Sequence, residues 1–391
     1  MSATTSDAQQ PTAPRQRIVI IDILRGYALL GILLANILFF SSPTNLIGGP
    51  FSYWEGPLDR VAEGATRVLV EGAFYAIFSF LFGLGIALQL GRGEGSAAQV
   101  ARVRWRLFIL IGFGALHGIF VWYGDILLPY AVGGLVLLLF RRFRVAGLLV
   151  WAVLGLGLSS LIYLASALSS GGSLPDWYSA ANFLSTYRDG SYPEILALRV
   201  RIFLFDLIDL PFLLPNLLWL FLMGMVAGRL ELFARVRDHL PLFRRALVVG
   251  LLFALALKGA YAWSLVRGDP LPVGLVSFGT GGPALAFVYI CGLTLLHQRA
   301  FWSRLLGPLA AVGKMALTNY LAQSVVCSLI FYGYGLGYYG QLGPAVTVVI
   351  AFAIYGVQIV LSVLWLRAFR FGPMEWLWRT LTYGERQPLR R

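Results

Sequence analysis

A histidine and an aspartate interrupt a strongly apolar part of the chain at residues 114–130, "GALHGIFVWYGDILLPY". His117 and Asp125 are eight positions apart, and "WYGD" is short enough for a tight turn between two antiparallel helices. Such a turn lets the Asp125 carboxylate reach the imidazole and fix its tautomer, as a general base requires. The alternative is structural, with His117 bonded to a neighbouring helix and Asp125 capping the next one. Residue types alone give the two interpretations equal weight.

A second pair of charges lies in the first apolar stretch, "IDILRGYALLGILLANI" at 21–37. Asp22 and Arg25 are three positions apart on one helical face, so an ion pair between them is the local explanation. The alternative is that Arg25 meets an anionic group from the cytoplasm, such as a phosphate. Asn36, eleven residues later, is either an interhelical hydrogen-bonding group or a donor that lines a cavity.

Seven further polar side chains are predicted at membrane depth, where an ionised group costs about 2.5–3.5 kcal/mol on insertion scales: Glu71, Asp206, Asp209, Lys258, Lys314, Asn319 and Gln323. Asp206 and Asp209, which precede Pro211 and Pro215, are interpreted first as outer-surface charges. Glu71 lies near the outer entrance of a span, either snorkelling to the surface or contributing to a site. Lys314 lies at the inner end of another span, which also carries Asn319 and Gln323 at i and i+4. That polar stripe favours helix pairing over the lining of a cavity.

The elements that must position these side chains are predicted to be membrane-spanning helices. Hydrophobic residues make up 58% of the 391 positions, charged residues only 13%, and the mean hydropathy is +0.76. Continuous apolar runs favour helices over a barrel, so the predicted fold is an all-α, polytopic transmembrane bundle of about ten spans. The predicted spans are 18–40, 68–90, 105–123, 125–140, 145–168, 203–228, 246–266, 272–296, 308–336 and 343–366.

The placement of the basic residues predicts the orientation. The net charge of +13 is compatible with nucleic acid, but 22 of the 31 lysines and arginines fall in alternate connecting segments and six in the others. That bias is the positive-inside pattern of a protein with both termini in the cytoplasm. We therefore expect a multi-pass protein of the cytoplasmic (inner) membrane that contacts lipids and binds no nucleic acid.

The chain divides into a predicted disordered cytoplasmic tail at 1–17, a transmembrane domain at 18–370 and a basic cytoplasmic tail at 371–391. The first apolar run is too long for a signal peptide. A long outer loop is predicted at about 169–202, with a surface helix after Pro193. Cys291 and Cys327 fall within spans and are expected to be free thiols.

Soluble-enzyme motifs are not found in the sequence. It contains no Walker loop, GxSxG, zinc-spaced His or Cys set, or dinucleotide fingerprint in a suitable context. Only three histidines are present, and His239 and His297 fall in predicted inner segments. We therefore expect no metal site.

Five motifs together resemble the DUF418 (YeiB-like) family of bacterial membrane proteins, in the same order and over nearly the whole chain. They are "DILRGYALLGILLANI", "EGAFYAIFSFLFGLG", "LHGIFVWYGDIL", "GKMALTNYLAQS" and "GPMEWLWRTLTYGERQPLR". This family is grouped with transmembrane acyltransferases, which include the acyltransferase-3 proteins and the lysosomal heparan-glucosaminide N-acetyltransferase. The resemblance implies a helical bundle that moves an acyl group from cytoplasmic acyl-CoA to a hydroxyl or amine on the far side.

The catalytic histidines of those relatives do not carry over to this chain. Asn36 stands at about the position of the acyltransferase-3 histidine, and "SYWEG" at 52–56 lacks the histidine that precedes the tryptophan in the acetyltransferase. His117, the one histidine in the predicted outer half, is then expected to replace them as the base, with Asp125 orienting it.

The remaining roles are assigned by the same hypothesis. Arg25, Arg104 and Arg106 would hold the phosphates of acyl-CoA, and Asn36 would donate to the thioester carbonyl. Asp22, Glu71, Lys314, Asn319 and Gln323 are further cavity candidates. Two other classes stay open, a small-molecule transporter and a non-catalytic lipid- or partner-binding protein, and a homo-oligomer is left open as well.

Overall fold

The computed structural model describes residues 18–43, 53–91, 94–168, 175–267 and 274–391. The predicted disordered tail at 1–17 and the start of the predicted outer loop lie outside these ranges. The described residues form fourteen α-helices and no strand, which confirms the all-α prediction. The helices are α1 (Val19–Ser41), α2 (Pro57–Leu69), α3 (Ala73–Leu90), α4 (Ala97–Phe120), α5 (Leu127–Leu137), α6 (Val145–Leu168), α7 (Ala180–Asp189), α8 (Tyr192–Arg229), α9 (Leu240–Arg267), α10 (Gly281–His297), α11 (Ala300–Lys314), α12 (Ala316–Phe331), α13 (Pro344–Ala368) and α14 (Pro373–Tyr383).

Eight helical segments in the described part of the chain are long and apolar enough to cross a membrane. The protein is therefore a multi-pass membrane protein. Two predicted spans are not among the eight. The span at 125–140 is the short helix α5 followed by a 3-10 turn at Leu138–Arg142, and the span at 308–336 is divided into α11 and α12 at Met315. The count of ten spans and the orientation of the termini stay predictions.

Helix α1 lies at the centre of the bundle, against α3, α11, α12 and α13. Its backbone approaches that of α11 closely, because a Cβ on Gly26 would lie 2.0 Å from the Leu309 carbonyl oxygen and one on Gly313 would lie 1.9 Å from that of Asp22. The Tyr355 hydroxyl of α13 also donates to the Gly26 carbonyl at 2.6 Å. Small residues at these crossings let the backbones meet, as is typical of helix packing in lipid.

Helix α8 differs from the sequence-based prediction for the outer loop. The segment after Pro193, predicted as a surface helix inside a loop ending at 202, is the beginning of a 38-residue helix that starts at Tyr192. Ser191 and Glu194 form a capping box at its start, which satisfies N–H groups that the helix itself leaves unpaired. The described part of the predicted loop contains a separate short helix, α7.

The predicted basic tail at 371–391 also contains structure, since α14 packs against α4 and α12. The Glu375 carboxylate accepts from the N–H groups of Leu317 at 2.6 Å and Thr318 at 3.1 Å, and from the Thr318 hydroxyl at 2.6 Å. The Leu317 and Thr318 N–H groups belong to the first turn of α12 and would otherwise lack acceptors where the chain breaks at Met315. Burial raises the pKa of the Glu375 carboxyl, while the hydrogen bonds from Thr318 oppose the rise. A carboxylate from the C-terminal helix thus stabilises the break between α11 and α12.

Candidate functional site

His117 and Asp125 are in direct contact. His117 lies in the last turn of α4 and is 2% exposed, and its Nδ1 is 2.8 Å from the Asp125 Oδ1. Because a carboxylate only accepts, chemistry assigns the proton to Nδ1 and leaves a lone pair on Nε2. The second carboxylate oxygen of Asp125 accepts from the Leu128 N–H at 2.8 Å, at the start of α5. One aspartate therefore orients the imidazole and caps the next helix, and the role of His117 as a base stays a prediction.

Aromatic rings surround the His117 imidazole, and its second nitrogen is free. Nε2 is buried and has no hydrogen-bond partner among the described residues. The imidazole ring lies 5.1 Å from the ring of Tyr320 and 6.5 Å from that of Trp122, which stacks on Phe40 of α1 at 4.2 Å. Buried polar atoms without partners are rare and require an explanation. An oriented imidazole with an unused lone pair can accept a proton from a bound molecule.

Asn36 lies on α1, one helical turn before Phe40, and is half-buried. The i, i+4 spacing puts it on the same face of α1 as Phe40, which contacts Trp122 beside His117. No hydrogen bond joins Asn36 to His117 within the described ranges. The role of Asn36 as a donor therefore stays a prediction.

A group of arginines lies at the opposite end of the same helices, and we call Arg25, Arg106 and Arg379 the inner arginine cluster. Arg25 of α1 pairs with Asp22 at 3.1 Å, which confirms the predicted ion pair. The Arg106 guanidinium of α4 lies 4.5 Å from the ring centre of Trp378 on α14. Arg25 and Arg379 are near enough to Arg106 for their charges to repel its own. Like charges brought together by three helices favour an anionic ligand.

Arg104 is not brought to this cluster and is exposed. Arg102, two residues earlier, faces α14 instead, with its guanidinium 5.3 Å from the ring centre of Tyr383. The helical period explains the difference, because Arg102 and Arg106 are four positions apart and share a face that Arg104 does not. Sequence reasoning also missed Arg379. The segment "EWLWRTLTY" mixes aromatic and apolar residues with polar ones, which indicates an amphipathic helix and could have identified Arg379.

Two of the other cavity candidates, Asn319 and Gln323, form hydrogen bonds with α13. Asn319 donates to the Ser362 hydroxyl at 3.0 Å, and Gln323 donates to Gln358 at 2.8 Å. Gln358 returns a bond to the Asn319 carbonyl at 2.9 Å, so this stripe pairs α12 with α13, as the favoured interpretation predicts. Lys314 is half-buried at the end of α11, and its role stays a prediction.

Glu71 belongs to a separate buried group of charges. Its Oε2 lies 3.9 Å from Arg67, which also makes a 2.8 Å ion pair with Glu63. Lys258 of α9 donates to the backbone carbonyls of Glu71 at 3.0 Å and Arg67 at 3.2 Å. No group of three or more His, Cys, Asp or Glu side chains in the described part of the chain could hold a metal ion, and both cysteines are buried free thiols.

The two ends of the candidate site are separated along shared helices. Arg106 and His117 are eleven residues apart on α4, a rise of about 16 Å. Arg25 and Asn36 have the same separation on α1. The arginines and the His117–Asp125 pair are therefore on different levels of one bundle, roughly half the thickness of a bilayer apart.

The chain belongs to the DUF418 family, the YeiB-like group of membrane proteins. Residues 227–385 match the model described as "Protein of unknown function (DUF418)". Over nearly its whole length the chain is 33% identical to the uncharacterized protein YxaH of Bacillus subtilis, covering 97% of this chain and 98% of that protein. It is 30% identical to the uncharacterized protein YeiB of Escherichia coli, covering 94% and 96%. It is also 30% identical to an uncharacterized 39.9 kDa protein of Bacillus acidopullulyticus, covering 97% of both chains.

Proposed function

We propose that this protein is an acyltransferase of the cytoplasmic membrane that moves an acyl group from cytoplasmic acyl-CoA to a hydroxyl or amine on the extracytoplasmic side. The observation that carries the proposal is the buried His117 imidazole, whose Nδ1 is held by Asp125 and whose Nε2 has no partner among the described residues. The resemblance of the family to transmembrane acyltransferases supports it. On the predicted topology this pair lies toward the outside and the inner arginine cluster toward the cytoplasm.

The inner arginine cluster would bind the phosphates of acyl-CoA. Arg106 forms no ion pair with a described carboxylate, and Arg25 and Arg379 add positive charge beside it. Guanidinium groups suit phosphate because they donate parallel hydrogen bonds without losing their charge. The acyl-bearing arm would then extend between the helices toward His117, about 16 Å along α4.

The transfer step uses His117 first as a base and then as an acid. Nε2 takes the proton of the acceptor hydroxyl or amine as its oxygen or nitrogen attacks the thioester carbonyl carbon. The carbon–sulfur bond then breaks, and the imidazolium returns the proton to the departing thiolate. The products are an ester or amide and free CoA thiol, and His117 is again neutral. Asn36 would donate to the carbonyl oxygen as negative charge develops on it.

The first test is the binding of acetyl-CoA and longer acyl-CoAs to the purified full-length protein in maltoside micelles, measured by calorimetry. We expect Arg106→Gln to weaken binding about tenfold, because a charge-assisted hydrogen bond to phosphate contributes about 1.5–3 kcal/mol. Arg104→Gln is the matched control, since Arg104 is exposed on the same helix. Equal affinities of the two variants, or no binding by the wild type, would overturn the donor assignment.

The second test concerns the base. We expect His117→Ala to bind acyl-CoA like the wild type but to release no CoA thiol in proteoliposomes supplied with bacterial envelope extract as acceptor source. Release at the wild-type rate by a folded His117→Ala variant would refute the proposed role of His117.

A transporter is the second candidate, favoured by the group formed by Glu63, Arg67, Glu71 and Lys258. Lys258 is 3% exposed inside an apolar helix, and buried charges at membrane depth often mark ion pathways. Dissipation of an imposed pH gradient in proteoliposomes that Lys258→Met abolishes and His117→Ala leaves unchanged would favour transport. A pH gradient that persists equally in proteoliposomes with Lys258→Met and with His117→Ala would count against transport.

A further inference from the structure

Arg199 of α8 is fully buried without a carboxylate partner among the described residues. Its side chain donates to the Phe120 carbonyl at 2.9 Å and the Tyr334 hydroxyl at 3.0 Å. Two acids that precede it in the chain are engaged elsewhere, because Asp189 pairs with Arg188 and Glu194 caps α8 through Ser191. Outside the described ranges, the segments 44–52 and 169–174 contain no Asp or Glu, and the segments 1–17 and 268–273 contain one acid each, Asp7 and Asp269. A buried cation is normally paired, and no described carboxylate pairs with Arg199, which favours a counter-ion from another molecule.

Several hydrogen-bond donors around Arg199 also lack acceptors. The hydroxyls of Tyr187, Tyr332 and Tyr339 and the Nε of Arg199 are buried and have no hydrogen-bond partner among the described residues. The three tyrosine rings pack together, with centroids 4.5 Å apart for Tyr187 and Tyr332 and 5.3 Å apart for Tyr187 and Tyr339. The Arg199 guanidinium lies 5.1 Å from the ring centre of Tyr332. We call these four residues the arginine–tyrosine site.

The protonation of the tyrosines makes them donors. Burial raises the pKa of the Tyr187 and Tyr339 hydroxyls, so both keep their protons at neutral pH. The site therefore combines one positive charge with three tyrosine hydroxyl protons that no described residue accepts. An anion that carries several acceptor oxygens satisfies such an arrangement. A phosphate ester offers more acceptor oxygens than a carboxylate, which has two.

The arginine–tyrosine site lies beside the His117–Asp125 pair. Arg199 donates to the carbonyl of Phe120, three residues after His117. Phe40 bridges the two places, with its ring 6.1 Å from that of Tyr332 and 4.2 Å from that of Trp122. Helix α7 and the segment 332–341 enclose the site, joined by a bond from the Gly333 N–H to the Tyr187 carbonyl at 2.8 Å. A molecule held by Arg199 would thus place its neighbouring atoms near the free nitrogen of His117.

We propose that Arg199, Tyr187, Tyr332 and Tyr339 bind a phosphate ester group of the acceptor and position its hydroxyl or amine for His117. This inference rests on the proposed function, and it narrows the acceptor to a phosphate-bearing molecule. The phosphate belongs either to the headgroup of a membrane lipid or to a water-soluble phosphate ester. Both present the same oxygens to the site.

The test is calorimetric titration of the full-length protein in phosphate-free maltoside with glycerol 1-phosphate in one arm and with phosphatidylglycerol in mixed micelles in the other. Diacylglycerol is the control for the lipid arm. We expect saturable binding in one arm, and the arm that binds identifies the source of the phosphate. Arg199→Gln should weaken it about tenfold or more, and Tyr332→Phe, which removes only a hydroxyl, about threefold to tenfold.

Arg188→Gln is the matched control, because Arg188 is an exposed arginine of α7 that pairs with Asp189. If Arg199→Gln does not fold, Tyr187→Phe and Tyr332→Phe decide the question. Absence of binding in both arms, or equal affinity of the folded variants and the wild type, would overturn the proposal.

His117→Ala should bind the phosphate probe normally. If the wild-type protein binds the phosphate probe but no acyl-CoA, only the proposed function is refuted. If it binds acyl-CoA but no phosphate probe, only the arginine–tyrosine site is refuted.

Discussion

At the scale of single residues, Asp125 has two structural duties. Oδ1 contacts the His117 imidazole at 2.8 Å, and Oδ2 accepts from the Leu128 N–H at 2.8 Å. The cap fixes the direction of the carboxylate, and the carboxylate in turn fixes the tautomer of the imidazole. A structural hydrogen bond thereby contributes directly to the geometry of a candidate base.

Substitution of Asp125 can separate these duties. In Asp125→Asn the single amide oxygen can still cap α5, but the NH2 group then faces Nδ1 as a donor. This favours the imidazole tautomer whose proton is on Nε2, which leaves no lone pair there. We expect the rate of CoA release to fall about 10²- to 10⁴-fold while the thermal unfolding midpoint changes little. Asp125→Ala should lower both. An Asn variant with the wild-type rate would assign Asp125 to the cap alone.

At the scale of helices, the break at Met315 depends on α14. The α11–α12 boundary leaves backbone N–H groups inside the protein, where each unpaired group is costly. Glu375 supplies the acceptors, although it is 57 and 58 residues away in sequence from Thr318 and Leu317. The same helix carries Trp378 and Arg379 to α4, so capping of α12 and assembly of the inner arginine cluster are coupled through α14.

Removal of the Glu375 side chain tests this coupling. Glu375→Ala leaves the Leu317 and Thr318 N–H groups without their acceptor, and we expect a loss of about 1–3 kcal/mol in the free energy of unfolding. Acyl-CoA affinity should fall with it, because α14 positions Arg379. Glu385→Ala, at an exposed position after α14, serves as the control. Equal denaturation midpoints of the two variants in detergent would contradict the capping role.

The contact between α1 and α11 gives a second prediction at this scale. A Cβ on Gly26 would lie 2.0 Å from the Leu309 carbonyl oxygen, so Gly26→Ala must separate two backbones. We expect a destabilisation of about 1–3 kcal/mol from this overpacking. Gly112→Ala on α4 meets nothing within 4 Å and should be neutral or slightly stabilising. Unfolding curves of the two variants that coincide would refute the close approach.

At the scale of the whole molecule, the candidate site has two ends that the bundle holds apart. The inner arginine cluster and the His117–Asp125 pair share α4 and lie on different levels of the bundle. The arginine–tyrosine site adds a second polar group at the His117 end. This arrangement supports transfer from the cytoplasm to the outside only if the helices cross the membrane in the predicted direction.

Cysteine labelling checks that direction. In a background in which the buried Cys291 and Cys327 are replaced by alanine, single cysteines are introduced as Asp176→Cys and Arg391→Cys. We expect a membrane-impermeant thiol reagent to label the first variant in intact cells and the second only after permeabilisation. Labelling of Arg391→Cys in intact cells would reverse or break the predicted topology.

The sequence by itself determined the class of the protein and its closest polar pairs. Helicity and membrane residence follow from apolar runs of about 20 residues, which are local properties of the chain. The Asp22–Arg25 and His117–Asp125 contacts were also predictable, because three residues on a helix or eight across a tight turn leave few geometries.

Only the tertiary structure decided which distant residues meet. The packing of Arg106 on Trp378, the cap that Glu375 provides for α12 and the placement of Arg199 among Tyr187, Tyr332 and Tyr339 each join parts of the chain that local patterns do not connect. The residues that neighbour an arginine in the sequence do not tell whether it lies in an exposed connecting segment or is buried among tyrosines. What distinguishes them is the packing of α7, α8 and the segment after α12, because burial and partner choice depend on all the surrounding helices at once.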